Sequence, residues 1–192
     1  MDPGALVGRD EELLLLIEAH RCRPAGGIVL EGPPGIGKTS LARRFVDVRS
    51  AAGAEVLWLA ATRTAAGIPF AAFAPLLSGA PSEADPSVDV LARLLDEVRG
   101  RRDLVVVVDD APLLDDSSAA LLHQIALATD AFVVATVRTG DEPPDAVAAL
   151  WKDGLLERVA LQALSEREVG ELLSALLDGP VESSVTRRVA EA

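Results

Sequence analysis

The segment Gly32-Pro33-Pro34-Gly35-Ile36-Gly37-Lys38-Thr39 constrains the fold more tightly than any other part of the chain, because it joins a strand read at 28–31, with its apolar run at 28–30, directly to a segment of helical spacing, 38–50. Glycines in such a turn let the backbone pass close to a ligand with its N–H groups facing inward, and a helix starting at Lys38 adds the positive end of its dipole. The pattern is that of the phosphate-binding loop called Walker A. Gly32, Pro33, Pro34, Gly35, Ile36, Gly37 and Ser40 would then surround the phosphates of a nucleotide. Lys38 would reach the β- and γ-phosphates, and Thr39 would offer a hydroxyl to Mg²⁺. The alternative, a turn rich in glycine and proline that binds nothing, is disfavoured by the strand before it and the helix after it.

Strands and helices alternate along the rest of the chain. Apolar, β-branched runs at 56–59, 104–108 and 132–137 read as buried strands, with 157–161 as a fifth. Segments 11–20, 88–99, 118–128 and 145–151 have helical spacing. The rhythm predicts βαβ units and a mostly parallel sheet with helices on both faces, and together with the Walker A loop this gives an α/β fold of the P-loop NTPase type, with a parallel five-stranded sheet. Ser165 and Glu168 form a capping-box pair, so a helix is expected at 166–177, ended by Asp178, Gly179 and Pro180. The stretch 64–82 is uncharged but interrupted by Pro69, Pro75 and Pro81, which makes it loop and short helix rather than a membrane span. An internal loop is expected at 79–87. The last residues, 181–192, look helical and lack a stop signal, so the chain is expected to continue. Residues 1–163 are read as a nucleotide-binding domain and 164–192 as the start of a helical region.

With 192 residues, 49% hydrophobic and 25% charged, the chain suits one soluble domain rather than a disordered or fibrous protein. Aromatic residues are only 3%, with no Tyr, which leaves few rings on which single-stranded bases could stack. The net charge of −12 repels a phosphate backbone, so no direct DNA binding is expected of these residues. Cys22 is the single cysteine and can form neither an internal disulfide nor a cysteine zinc site; the acidic N-terminus lacks a signal-peptide layout. A cytoplasmic location and no membrane contact follow as expectations. His20 and His123 have no partner at metal-ligand spacing, and Cys22 has no base beside it in sequence, so none is read as catalytic.

The strand at 104–108 runs into Asp109-Asp110, at the edge where open parallel sheets place their chemistry. Asp109 would hold Mg²⁺ through water. Asp110 would act on the attacking water as general base or orienting acceptor, unless it is a solvated turn residue or a cap such as Asp115-Asp116 could be. Arg138 emerges with Thr136 at the end of the next strand. Its donor fork either senses a γ-phosphate or is solvated.

Val7-Gly8-Arg9-Asp10-Glu11-Glu12-Leu13, the Walker A loop, Asp109-Asp110 and Thr136-Val137-Arg138 together resemble the STAND signalling ATPases within the wider AAA-type group. The resemblance is greatest to the nucleotide-binding part of large ATP-binding LuxR-type transcriptional regulators. It extends over nearly the whole chain, including Ile68-Pro69-Phe70 and the region from Leu161 to Leu173. It implies that Val7, Gly8 and Arg9 lie beside adenine, that Asp109 and Asp110 serve Mg²⁺ and hydrolysis, and that Arg138 senses the γ-phosphate. It also implies that the Thr136 strand lies between the P-loop strand and the Asp109 strand. Pro112 and Leu113 depart from the pattern, while Asp115 and Ser118 keep to it. A glycine-x-proline segment, a winged helix and a DNA-binding helix-turn-helix are expected after Ala192.

The function expected is an ATP/ADP switch with Mg²⁺, slowly hydrolysing through Lys38, Asp110 and Arg138, within a transcriptional regulator that reaches DNA through its missing part. ATP-dependent self-association is allowed by this reading. The alternatives are a module of a cyclase- or kinase-linked signalling protein, a motor or loader ATPase, or a P-loop kinase; a module that only binds nucleotide also stays open. A water-activating Asp110 speaks against the kinase.

Overall fold

The computed structural model describes residues 8–22, 26–77, 86–177, 179 and 181–190. Its strands are β1 (Gly26–Gly32), β2 (Glu55–Ala60), β3 (Leu104–Asp109), β4 (Phe132–Arg138) and β5 (Glu157–Ala160). Its α-helices are α1 (Asp10–Cys22), α2 (Lys38–Ala51), α3 (Pro86–Arg99), α4 (Asp116–Ala128), α5 (Asp145–Lys152), α6 (Glu166–Leu177) and α7 (Ser183–Ala190). The five strands form one sheet in the order β2-β3-β4-β1-β5, and every pairing is parallel. The Thr136 strand therefore lies between the P-loop strand and the Asp109 strand, as expected.

Parallel strands in the middle of a sheet must be apolar on both sides, and the alternation of β3 shows how the layers divide. Val106 and Val108 pack on one side with α3, α4 and α5, through Leu94, Val98, Leu122, Ile125, Val147 and Leu150. Val105 and Val107 pack on the other with α1 and α2, through Leu16, Leu41 and Phe45. The helices thus cover both faces.

Several element boundaries moved from those expected, for local reasons. β1 begins at Gly26, two residues before its apolar run, because Gly27 passes so close to Val133 that a Cβ would meet its carbonyl oxygen. α3 begins at Pro86, a residue suited to a first helical turn. α4 begins at Asp116 because Asp115 caps it, accepting the N–H of Ser118. The stretch after β2 forms a short 3-10 helix, Ala71–Leu76, as its prolines foretold. Gly179 donates its N–H to the Ser174 carbonyl, which closes α6, while Asp178 and Pro180 lie outside the described residues. So does most of the loop expected at 79–87. Among the described residues no helix is long and apolar enough to cross a membrane.

Candidate functional site

The carboxyl ends of β1, β3 and β4 converge at one edge of the sheet. Gly32 pairs with Arg138 and Leu30 with Thr136 across β1 and β4, while Val108 pairs with Ala135 across β3 and β4. The loop leaving β1 turns here into α2 and bounds an open cleft of about 270 Å³. Pro34, Gly35, Gly37, Lys38, Thr39 and Ser40 line it from the loop, and Asp110 and Arg138 from the neighbouring strands. Gly35 and Gly37 adopt φ of 79° and 101° with open space where a Cβ would stand, so conformation rather than crowding selects glycine. Gly32 is the reverse case, since a Cβ there would lie 2.9 Å from Ile36 Cγ2. Ile36 itself packs against the α1–α2 side of the core. A wider opening of about 700 Å³ lies between α6 and α7, but its charged groups are already paired, Arg167 with Glu171 at 2.7 Å and Glu166 with Arg187 at 3.5 Å.

No side chain caps the N-terminus of α2, whose first helical bond runs from the Leu41 N–H to the Gly37 carbonyl. The preceding N–H groups are left for an anion. Lys38 is 7% exposed, and its ammonium donates to the carbonyls of Gly32 at 2.7 Å and Pro33 at 2.9 Å. Burial holds its pKa below the ordinary lysine value, a trend that Asp110 opposes. The positive charge is thereby held on the loop's own backbone.

Two hydroxyls converge on one oxygen of Asp109. Thr39 Oγ1 and Thr136 Oγ1 each donate to Oδ1 at 2.9 Å, and Thr136 Oγ1 also accepts the Asp110 N–H at 2.8 Å. Thr136 is fully buried, so its hydroxyl fixes the end of β3 to the end of β4. A carboxylate beside a loop hydroxyl is an all-oxygen set that fits a hard cation such as Mg²⁺, with phosphate and water completing the shell. Among the described residues no three His, Cys, Asp or Glu side chains cluster, so such an ion would need those outside oxygens.

Asp110 has left-handed backbone geometry, φ 56° and ψ 49°, which aspartate tolerates better than most residues. Its carboxylate is engaged bidentately by Arg138, Nε to Oδ1 at 3.2 Å and Nη2 to Oδ2 at 2.8 Å. That hydrogen bonding raises the pKa of Arg138. Arg138 thus lines the cleft, partly exposed, with its guanidinium held on Asp110.

Gly8 and Arg9 do not line the cleft. Arg9 is 4% exposed, and its guanidinium donates to the Ile36 carbonyl of the loop at 3.0 Å. Val7 lies outside the described residues. Thr136 and Asp115 carry more than the sequence suggested. Asp115 caps α4 and also accepts the Phe70 N–H at 3.0 Å, tying the segment after β2 to the helix after β3. The Asp-x-x-Ser spacing to Ser118 was the available signal. His20 sits in the core, against Phe45 and Phe132, and Cys22 is exposed.

A parallel sheet in this strand order, with a glycine-rich loop entering a helix beside the acidic end of the adjacent strand, is the fold of the P-loop NTPases of AAA type. Residues 5–81 match the AAA ATPase domain family. Comparison with curated proteins gave no match. Among solved structures, a RuvB variant of Thermotoga maritima is similar at 21% identity and a TM-score of 0.59, covering 98% of this chain and 58% of that one. ORC1 of Aeropyrum pernix, solved in complex with DNA, is similar at 19% identity and a TM-score of 0.61, covering 92% of this chain and 50% of that one. Domain III of the replication initiation protein DnaA of Thermotoga maritima has 14% identity and a TM-score of 0.59, with 96% of this chain and 76% of that one covered. The chain thus spans 58% of the first and 50% of the second of these proteins. At these identities the likeness is one of fold.

Proposed function

We propose that the chain is a cytoplasmic ATP switch: residues 1–163 bind Mg-ATP in the loop cleft and hydrolyse it slowly, and residues 164–192 begin a helical region that passes the nucleotide state onward. The observation that carries this reading is the Asp110–Arg138 pair, in which the acid suited to polarise water and the arginine suited to read a γ-phosphate occupy one another. A bound γ-phosphate competes for the guanidinium and leaves the carboxylate open to accept a proton from the attacking water. Water then adds to the γ-phosphorus while ADP departs, and Lys38 and the N–H groups at the start of α2 hold the phosphate charge. Mg²⁺, held by Thr39 and Asp109, would neutralise the charge that develops on the phosphates. A resting pair of this kind suits slow turnover, and slow turnover suits a switch.

The effector we assign is transcriptional, on the strength of the sequence likeness to ATP-binding LuxR-type regulators in the STAND group. DNA would be reached through residues after Ala192, and ATP-bound molecules would self-associate. The fold likeness to RuvB and to the replication initiation protein DnaA favours a second reading as a motor or loader ATPase. Sedimentation with ATP separates the two, since a motor would close into a ring. The site is tested by phosphate release and ATP titration on Lys38→Ala and Asp110→Asn. Lys38→Ala should lose most ATP affinity, whereas Asp110→Asn should bind Mg-ATP and release phosphate at least about tenfold more slowly. Wild-type behaviour of both variants would end the reading.

A further inference from the structure

Arg9 stands where three parts of the chain meet. Its Nη1 forms an ion pair with Glu12 at 2.6 Å on the first turn of α1. Its Nη2 donates to two backbone carbonyls distant in sequence, Ile36 in the phosphate loop at 3.0 Å and Gln162 between β5 and α6 at 2.7 Å. The peptide plane makes the first of these contacts consequential. In a trans peptide the carbonyl and the following N–H point in opposite directions, so drawing the Ile36 oxygen toward Arg9 turns the Gly37 N–H away from Arg9. Gly37 lines the cleft and holds the left-handed geometry that starts α2.

The second contact reaches the other way. Gly8, at φ 79°, is pressed against α6 so closely that a Cβ would lie 2.8 Å from Glu168 Cβ and 3.1 Å from Leu164 Cδ2. Glu168 is itself fixed, since it accepts both the N–H and the hydroxyl of Ser165 in the capping box. The start of α6 is therefore held by Gly8 on one side and, through Gln162, by Arg9 on the other.

We propose that Arg9 is a positioning residue: it sets the Ile36–Gly37 peptide of the phosphate loop and ties that loop to the entry of α6, so that phosphate in the cleft and the seating of the α6–α7 pair stabilise each other. The inference rests on the nucleotide reading of the cleft and adds the route by which occupancy leaves it. Coupling of this kind is reciprocal. It also separates Arg9 from recognition of a base, because the guanidinium is spent on backbone carbonyls and Glu12.

The test compares Arg9→Ala and Arg9→Lys with wild type for binding of Mg-ATP, Mg-GTP and tripolyphosphate, together with amide hydrogen exchange with and without Mg-ATP. Arg9→Lys keeps a buried charge but not the planar fork, and so guards against a variant that fails to fold. All three probes should weaken by a common factor of about ten, equivalent to about 1.4 kcal/mol. Loss confined to ATP would overturn the proposal and make Arg9 a base-reading residue. In wild type, Mg-ATP should slow exchange across 166–177 as well as in the loop, and Arg9→Lys should remove the effect at 166–177. Unchanged protection there would sink the link to α6. In ligand-free protein, Arg9→Lys should speed exchange both at 35–37 and at the start of α6. Wild-type rates at both would overturn the clamp whether or not nucleotide binds, whereas failure of wild type to bind any probe, with the exchange result as expected, would fault the nucleotide reading alone.

Discussion

Arg138 can serve only one anion at a time. Its fork is filled by Asp110, the one carboxylate hydrogen-bonded to it among the described residues. A triphosphate offers a competing anion at the same edge of the sheet, and a diphosphate lacks the terminal group that would do so. Arg138→Ala should therefore weaken ATP more than ADP, narrowing the ratio of their affinities by about threefold to tenfold. Calorimetric titration of each nucleotide with Mg²⁺ reads that ratio, and an unaltered value would leave Arg138 as nothing more than a holder of Asp110. The residues of this site were largely visible in sequence, because Gly32–Thr39, Asp109-Asp110 and Arg138 each end or follow an apolar strand. Their mutual engagement was not. The bonds from both Thr39 and Thr136 to Asp109 and from Arg9 to Gln162 depend on which elements lie side by side, and no local pattern encodes that.

At the scale of elements, strands buried on both faces were legible because short, β-branched apolar runs such as Leu104–Val108 suit a parallel strand covered on both sides. What the pattern could not supply was where α1 packs, since its apolar residues Leu13, Leu14, Leu15, Leu16 and Ile17 nearly encircle the helix. The structure buries Leu16 and His20 and leaves Leu14 exposed. His20 closes the junction of α1 with α2 and β4, its ring edge-on to Phe132 at 4.9 Å, with Nε2 3.2 Å from Asp103 ahead of β3. Burial lowers its pKa below 6.5, Arg49 acts in the same direction, and Asp103 opposes them. The sign of the consequence follows. Above pH 6.5 both folded and unfolded chains carry the neutral ring and the group contributes nothing to the pH dependence. As the pH falls through that value the unfolded chain binds the proton first, so stability declines until the folded pKa is reached, with a slope of at most about 1.4 kcal/mol per pH unit. The melting temperature should drop on going from about pH 7 to about pH 5, and His20→Gln should flatten that drop. Glu168, whose pKa Ser165 lowers from 4.5, acts in a separate and more acidic window. A variant curve parallel to wild type would show that the junction does not sense the proton.

For the molecule as a whole, charge sets what the fold alone leaves open. The fold is similar to that of ORC1, which was solved in complex with DNA, yet this chain carries a net charge of −12. Much of its positive charge is also neutralised locally: Arg49 by Asp103, Arg101 by Glu97, Arg138 by Asp110, Arg158 by Glu31 and Arg167 by Glu171. Counterion release, the main source of non-specific affinity for duplex DNA, needs a row of cations free to meet successive phosphates. Arginines already paired with carboxylates would have to exchange one anion for another and leave the carboxylate facing the backbone. These 192 residues should therefore show no binding to a labelled duplex in an anisotropy titration at about 0.15 M salt, where screening over about 8 Å removes the longer-range repulsion but not the contacts themselves. ATP should not change the outcome, since Mg-ATP adds no positive charge. Micromolar binding with an affinity that falls steeply as salt rises would reveal a basic surface strong enough to overcome the net charge, and would shift the proposed function from a switch acting through a separate DNA-binding part to a module that grips DNA itself.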